Sequence, residues 1–256
     1  MEVLFLGTAA CDYSPKLNDE FKDKFDFDAR RSSCVLINGN ILVDCGDHTL
    51  DSLRIAGVDI SLITDIFITH LHSDHFRINN IRHIASLAKD KLRLWVREDA
   101  AISEIENVEI LKMESIKPYE ISKGMTVTGY RANHGEKYCP QHFLFEANGK
   151  KFFYGLDGAW ILHETYYALK NANLDCMVLD GTCGDAPAEW RIAEHNTLSM
   201  IRLMLPSFRS WGIINDNTQV YISHIAPSLH KPHKDIVAEL KEYGIKVAYD
   251  GLKINI

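Results

Sequence analysis

The stretch Thr69-His70-Leu71-His72-Ser73-Asp74-His75 places three histidines and one aspartate directly after the apolar residues 66–68. Side chains two positions apart lie on the same side of an extended backbone, so His70 and His72 converge on one point. Asp74 and His75 follow the end of the strand and can face a second point nearby. Imidazole nitrogens and carboxylate oxygens are ligands that divalent transition metals take in proteins. The stretch therefore predicts ligands for two metal ions in one short loop.

Histidine clusters also occur on solvated loops and as hydrogen-bonded residues of a core. Two isolated histidines such as His230 and His233 are typical of those roles. A full His-x-His-x-Asp-His string directly after a strand of β-branched and aromatic residues is much rarer by chance, so it favours metal binding.

The composition is that of a globular protein, with 256 residues of which 46% are hydrophobic and 25% charged. This length suits one large domain or two small ones, and because no repeat and no Pro/Ser/Gly linker divides the chain, a single domain over residues 1–256 is predicted. The six cysteines are scattered without a Cys-x-x-Cys pair, which predicts free thiols. Because the chain shows no apolar run of membrane-spanning length and no signal peptide, we expect a cytoplasmic protein that does not bind membranes.

The net charge of −7 bears on the choice of partners. Tight binding to long nucleic acid relies on neutralising phosphates with basic side chains, so an acidic chain disfavours such a partner. A small phosphorylated substrate stays compatible with this charge, because a few local arginines suffice to bind it. A homodimer is left open.

Short apolar strands alternate with helical segments, and Asn38-Gly39 and Asn148-Gly149 mark tight turns. Strands are predicted at 3–6, 34–37, 41–43, 65–69, 92–96, 108–113, 125–131, 142–147, 151–155, 176–179, 220–223, 247–249 and 253–255. Helices are predicted at 47–56, 78–89, 161–169, 196–205 and 231–243. The order indicates an α/β protein with mixed sheets.

The histidine string resembles the signature of the metallo-β-lactamase superfamily. That resemblance implies an αββα sandwich, in which two mixed β-sheets pack face to face with helices outside. It also implies a further histidine, a bridging acid and a last histidine, each at the end of a strand. His134, Asp157 and His224 stand at such positions in this chain.

On this resemblance, two divalent transition-metal ions are expected, and zinc, manganese and iron all suit the ligand types. The first ion takes His70, His72 and His134. The second takes Asp74, His75 and His224, and Asp157 bridges the two ions. The superfamily also has an aspartate near the N-terminus that orients the ligands without binding the metal, and Asp44 matches it.

Three further segments narrow the resemblance to phosphodiesterase branches. These are residues 4–10 with Arg30-Arg31-Ser32-Ser33-Cys34, then Glu194-His195-Asn196, and finally the tail at 223–226 and 247–254. The tail is similar to that of the phosphoribosyl cyclic phosphate phosphodiesterases, the PhnP-like branch. His72 stands where redox-active di-iron members carry glutamate, which favours hydrolysis.

The expected activity is hydrolysis of a small cyclic or diester phosphate by a hydroxide that the two ions share. Asp74 and His195 are the predicted catalytic residues, with His195 binding the phosphate or protonating the leaving group. A second phosphate of the substrate is expected to contact Arg30, Arg31 or Arg82.

Three other functions remain open at this point. The same ions could serve a hydrolase of carboxylic esters, lactones or thioesters, which has less need of His195. A tRNA 3′-endonuclease is opposed by the net charge and by the lack of a basic, glycine-rich arm. A scaffold that binds metal without catalysis is expected to have lost ligands, and this chain retains them all.

Overall fold

Two seven-stranded β-sheets form the centre of the computed structural model, which describes residues 1–187 and 189–256. The strands are β1 Glu2–Gly7, β2 Cys34–Ile37, β3 Ile41–Val43, β4 Asp65–Phe67, β5 Leu92–Arg97, β6 Val108–Met113, β7 Pro118–Ser122, β8 Met125–Arg131, β9 Gln141–Ala147, β10 Lys150–Gly155, β11 Cys176–Asp180, β12 Gln219–Ser223, β13 Ile245–Val247 and β14 Lys253–Asn255. The helices are α1 Thr49–Ile55, α2 Ile78–Leu87, α3 His163–Ala168, α4 Leu198–Ser210 and α5 His233–Leu240.

Each sheet combines an antiparallel part with a run of four parallel strands. The first sheet has the order β14-β1-β2-β3-β4-β5-β6, and its strands β3 to β6 run parallel. The second has the order β13-β12-β11-β10-β9-β8-β7, and β10 to β13 run parallel. Parallel neighbours end at the same edge of a sheet, so the loops after them share one rim.

Apolar side chains fill the space between the two sheets. Phe67 of the first sheet packs edge to face against Phe143 and Phe145 of the second, with ring centroids 5.5 and 5.3 Å apart. Separate apolar clusters join the first sheet to α1 and α2, and the second sheet to α4 and α5. The predicted αββα sandwich is confirmed.

Some boundaries differ from those expected from the sequence. The helix expected to end at residue 205 continues through Pro206 to Ser210, because Phe208 is buried in the cluster beneath it. Strand β7 was not predicted, since it starts with a proline and exposes three of its five residues at the edge of its sheet. Among the described residues, no helix has the length and apolar character needed to cross a bilayer.

Candidate metal centre

The loops at the carboxyl ends of the strands bring the expected ligands to one rim of the sandwich. Asp44 directly follows β3, and the histidine string begins three residues after β4. In the second sheet, Asp157 follows β10 and His224 directly follows β12. These residues are far apart in the sequence but close in space, because all the strands that they follow end at this rim.

The first group of polar atoms comprises His70, His72, His134 and Asp157, whose candidate ligand atoms lie within 4.8 Å of one another. His72 Nδ1 is 2.8 Å from His70 Nε2 and 3.1 Å from His134 Nε2. Asp157 Oδ2 lies 3.3 Å from His70 Nε2. The structure thus unites the three histidines expected for the first ion.

The second group comprises Asp74, His75, Asp157 and His224. His75 Nε2 is 3.3 Å from Asp74 Oδ2 and 3.2 Å from His224 Nε2. The two carboxylate oxygens of Asp157 face different ring nitrogens, with Oδ1 3.0 Å from His224 Nε2 and Oδ2 3.3 Å from His75 Nε2. Because Asp157 belongs to both groups, it has the position of a bridging ligand.

The donor atoms fit transition-metal ions. Ring nitrogens that face one another at 2.8–3.2 Å cannot all carry protons, so several lone pairs point at a common space. Two nitrogens bound to one tetrahedral zinc at about 2.0–2.1 Å would be about 3.3–3.4 Å apart. The observed spacings are close to that value. Nitrogen and carboxylate donors at this spacing match zinc, manganese or iron.

Electrostatics at the rim also favours a cation. Burial lowers the pKa of His70 and of His134, which keeps both rings neutral and their lone pairs available. Burial also acts to lower the pKa of His224, but the carboxylates of Asp157 and Asp74 outweigh it and raise that pKa to about 10. The second group therefore favours a positive charge between its carboxylates.

Asp44 supports the centre from behind. It is fully buried, and its Oδ1 accepts hydrogen bonds from the Thr69 amide and hydroxyl at 2.8 Å. Its Oδ2 lies 2.7 Å from His75 Nδ1. A carboxylate can only accept here, so His75 carries its proton on Nδ1 and keeps the lone pair on Nε2 for the centre.

Left-handed backbone conformations occur at three residues of the rim. The φ angles are +68° at Asp44, +55° at Asp157 and +59° at His224. This region is unfavourable for residues other than glycine, and aspartate, asparagine and histidine enter it more often than most. The backbone turns sharply at these points, and it directs Asp157 and His224 into the centre and Asp44 towards His75 Nδ1 behind it. Strained backbone conformations are common at functional sites of proteins.

His195 joins the centre through residues that the sequence analysis missed. Its Nδ1 lies 2.8 Å from Asp180 Oδ2, and its ring centroid is 4.9 Å from that of His134. Thr182 bridges this pair to the second group, with its Oγ1 2.7 Å from His224 Nδ1. Asp180 ends a buried strand as Asp157 and His224 follow theirs, and this shared position was the available signal.

The centre opens into a cavity of about 450 Å³. Besides members of both groups, its walls include His195, Thr182 and residues 190–191 of the 3₁₀ turn Glu189–Ala193. Cys11 and Asp12 line it from the N-terminal side. This volume is within the range of about 300–1,000 Å³ that is usual for small-molecule sites.

The three arginines expected to bind substrate lie outside this cavity. Arg30 and Arg31 are buried and donate to groups of the fold. Arg30 donates to Thr8 Oγ1 at 2.7 Å, and Arg31 donates to the backbone carbonyls of Lys24 and Phe21. Arg82 on α2 lines a different cavity. The structure therefore does not bring them to the centre, where Arg191 is the lining arginine.

Short stretches of the chain match curated relatives. Over 76 residues it is 40% identical to ribonuclease Z of Methanothermobacter thermautotrophicus, a match covering 29% of this chain and 21% of that protein. The chain thus spans about a fifth of the length of the curated relatives it matches. These matches concern part of each relative, so they do not carry the activity of the whole protein.

Solved structures share the fold over nearly the whole chain. The metallo-beta-lactamase fold protein YhfI from Bacillus subtilis superposes with a TM-score of 0.74 at 13% identity, over 99% of this chain and 98% of that one. A diphosphatase from the PhnP family superposes with a TM-score of 0.73 at 19% identity, over 100% of this chain and 97% of that one. A family model described as a beta-lactamase superfamily domain matches residues 39–224. Because this model matches most of the chain and the fold agrees with it, the chain belongs to the beta-lactamase superfamily.

Proposed function

We propose that the protein is a metal-dependent phosphodiesterase that hydrolyses a small cyclic or diester phosphate. The position of His195 carries this proposal. It lines the cavity beside both groups of metal-ligand candidates, and its Nδ1 is hydrogen-bonded to Asp180. Its Nε2 is thereby left for a substrate atom. A basic nitrogen beside a di-metal centre suits a reaction whose leaving oxygen needs a proton.

Two divalent ions would be held by the first and second groups, with Asp157 in contact with both. When bound, such ions lower the pKa of water towards neutrality and withdraw charge from phosphoryl oxygens. Asp74 would act as a ligand, because its Oδ2 lies 3.3 Å from His75 Nε2 within the second group and the residue lines the cavity.

His195 would hold and donate the proton that the leaving oxygen takes up. Burial acts to lower its pKa, but the buried Asp180 carboxylate outweighs this and the pKa is raised. Asp180 also accepts the backbone N–H of Asn196 and the hydroxyl of Thr182, so it is fixed before it positions the imidazole. The ring is therefore oriented without help from substrate.

A nuclease that cuts RNA is a second candidate, supported by the match to ribonuclease Z. The charge of the chain weighs against it, since the net charge is −7. Among the described residues that line the cavity, Arg191 is the sole arginine or lysine, whereas binding an RNA backbone requires contacts to many phosphates.

The test is a substrate screen with zinc- and manganese-loaded protein. Bis-p-nitrophenyl phosphate, cyclic nucleotides, a lactone, a thioester and a short RNA cover the alternatives. We expect diester hydrolysis, and His195→Ala should lower kcat by about 10²–10⁴-fold while metal content is unchanged. His83→Ala, which alters an exposed histidine of α2, is the matched control. Lactone hydrolysis without diester hydrolysis, or full activity in His195→Ala, would refute the phosphodiesterase proposal.

A further inference from the structure

The 3₁₀ turn Glu189–Ala193 forms one wall of the cavity above the metal centre. Trp190 and Arg191 of this turn both line that cavity. The backbone carbonyl of Arg191 accepts the amide hydrogen of His195 at 2.8 Å and that of Glu194 at 3.0 Å. The turn is thus tied directly to the residue proposed to act on the leaving group.

Trp190 exposes its indole to solvent at the mouth of the cavity. It is 67% exposed, the highest value for a tryptophan, tyrosine or phenylalanine among the described residues. The next most exposed are packed against other rings, since Tyr167 contacts Trp211 and Phe27 stacks on His233. No ring or cation of the described residues covers Trp190. An uncovered indole beside a polar site is a surface on which a flat ligand can stack.

Arg191 carries an unused hydrogen-bond donor in the same wall. Its Nε is buried and has no partner among the described residues. The described residues give the guanidinium of Arg191 no hydrogen bond or ion pair, so its terminal nitrogens can donate to an acceptor that enters the cavity. A phosphate oxygen is such an acceptor, and arginine binds it with charge-assisted hydrogen bonds.

We propose that Trp190 and Arg191 form a nucleotide subsite, so that the substrate is a phosphodiester carrying an aromatic base. Trp190 stacks on the base, and Arg191 donates to a phosphate oxygen while the scissile phosphorus lies at the metal centre. This inference rests on the proposed phosphodiesterase function and names its substrate class. It follows from an aromatic face and a phosphate donor on adjacent residues of one turn.

The test measures binding, independently of turnover, by calorimetric titration of the zinc-loaded protein. Adenosine 5′-monophosphate carries adenine at the position where ribose 5-phosphate has a hydroxyl group, and the two share the sugar and the phosphate. We expect the former to bind about 5- to 150-fold more tightly, the usual range for stacking of one base on an aromatic side chain. Trp190→Ala should remove this difference and Trp190→Phe should keep most of it. Arg191→Gln should weaken both ligands alike.

Trp160→Ala is the matched control, because Trp160 is 43% exposed and lies outside the lining of the cavity. It should keep the full difference between the two ligands. Equal affinities in the wild type, no binding of either ligand, or an unchanged difference in Trp190→Ala would overturn the subsite. Hydrolysis of bis-p-nitrophenyl phosphate by a protein with equal affinities would leave the phosphodiesterase standing and remove the subsite alone.

Discussion

Replacing Asp44 by asparagine tests whether a buried residue behind the centre controls metal binding. Asparagine has nearly the same shape and tolerates the left-handed backbone found at this position, where φ is +68°. Its carbonyl oxygen can still accept the Thr69 amide hydrogen. Its NH₂ group then replaces Oδ2, which lies 2.7 Å from His75 Nδ1. The substitution thus exchanges an acceptor for a donor at one contact.

That exchange reverses the tautomer of His75. With an amide N–H facing it, Nδ1 must accept, so the proton moves to Nε2 and removes the lone pair that faces Asp74 and His224. Loss of such a supporting contact typically lowers metal affinity by about 10–100-fold. This corresponds to about 1.4–2.7 kcal/mol. We expect Asp44→Asn to weaken zinc binding by this amount while the protein stays folded.

Competition with a chromophoric chelator at neutral pH measures the affinity, and thermal unfolding of the metal-free protein measures stability. Asp65→Asn is the control. Asp65 is equally buried in the first sheet, but it contacts Arg93 and Trp95 away from the centre. It should lower stability and leave zinc affinity intact. An Asp44→Asn protein that binds zinc as tightly as the wild type would refute the tautomer argument.

Three other outcomes are expected. The purified protein should hold close to two transition-metal ions per chain and Asp157→Ala should lose most of them, as elemental analysis would show; a melting temperature indifferent to chelators contradicts this. The six cysteines, all free in the structure, should titrate as six thiols in denaturant, and reductant should not shift the melting temperature. Burial raises the pKa of Asp250 to about 6, so the native state retains a proton that the unfolded chain loses between pH ~4 and ~6. The free energy of unfolding therefore falls as pH rises through that window, and Asp250 contributes at most about 3 kcal/mol to this fall. Denaturant unfolding of metal-free Asp250→Asn should therefore show its stability relative to the wild type increasing from pH ~4 to pH ~6, and a constant difference would contradict the shift.

That the candidate ligands lie close together could be predicted because the sequence shows where strands end. His70, Asp157 and His224 each follow an apolar run, and parallel strands bring such positions to one rim. Asp180 has the same placement at the end of β11. It was missed because the superfamily resemblance did not require it, although the physical argument applied equally.

The arginines show where sequence reasoning stopped. Arg30 and Arg31 lie near the start of the resemblance, and a sequence does not reveal whether a guanidinium donates to substrate or to the fold. In the structure both side chains are buried, and they donate to groups of the protein itself. Trp190 and Arg191 have no periodic pattern around them, and their shared cavity exists only after the turn Glu189–Ala193 has packed beside His195.

The two groups of candidate ligands are completed at different times during synthesis of the chain. The first group is complete in the chain once Asp157 has been synthesised, whereas the second needs His224, which comes 67 residues later. At a translation rate of about 5–20 residues per second, that interval is about 3–13 s. During it, His75 and Asp74 already exist without their last partner. The second group of candidate ligands is thus completed late in translation, after the residues of β12 have been synthesised.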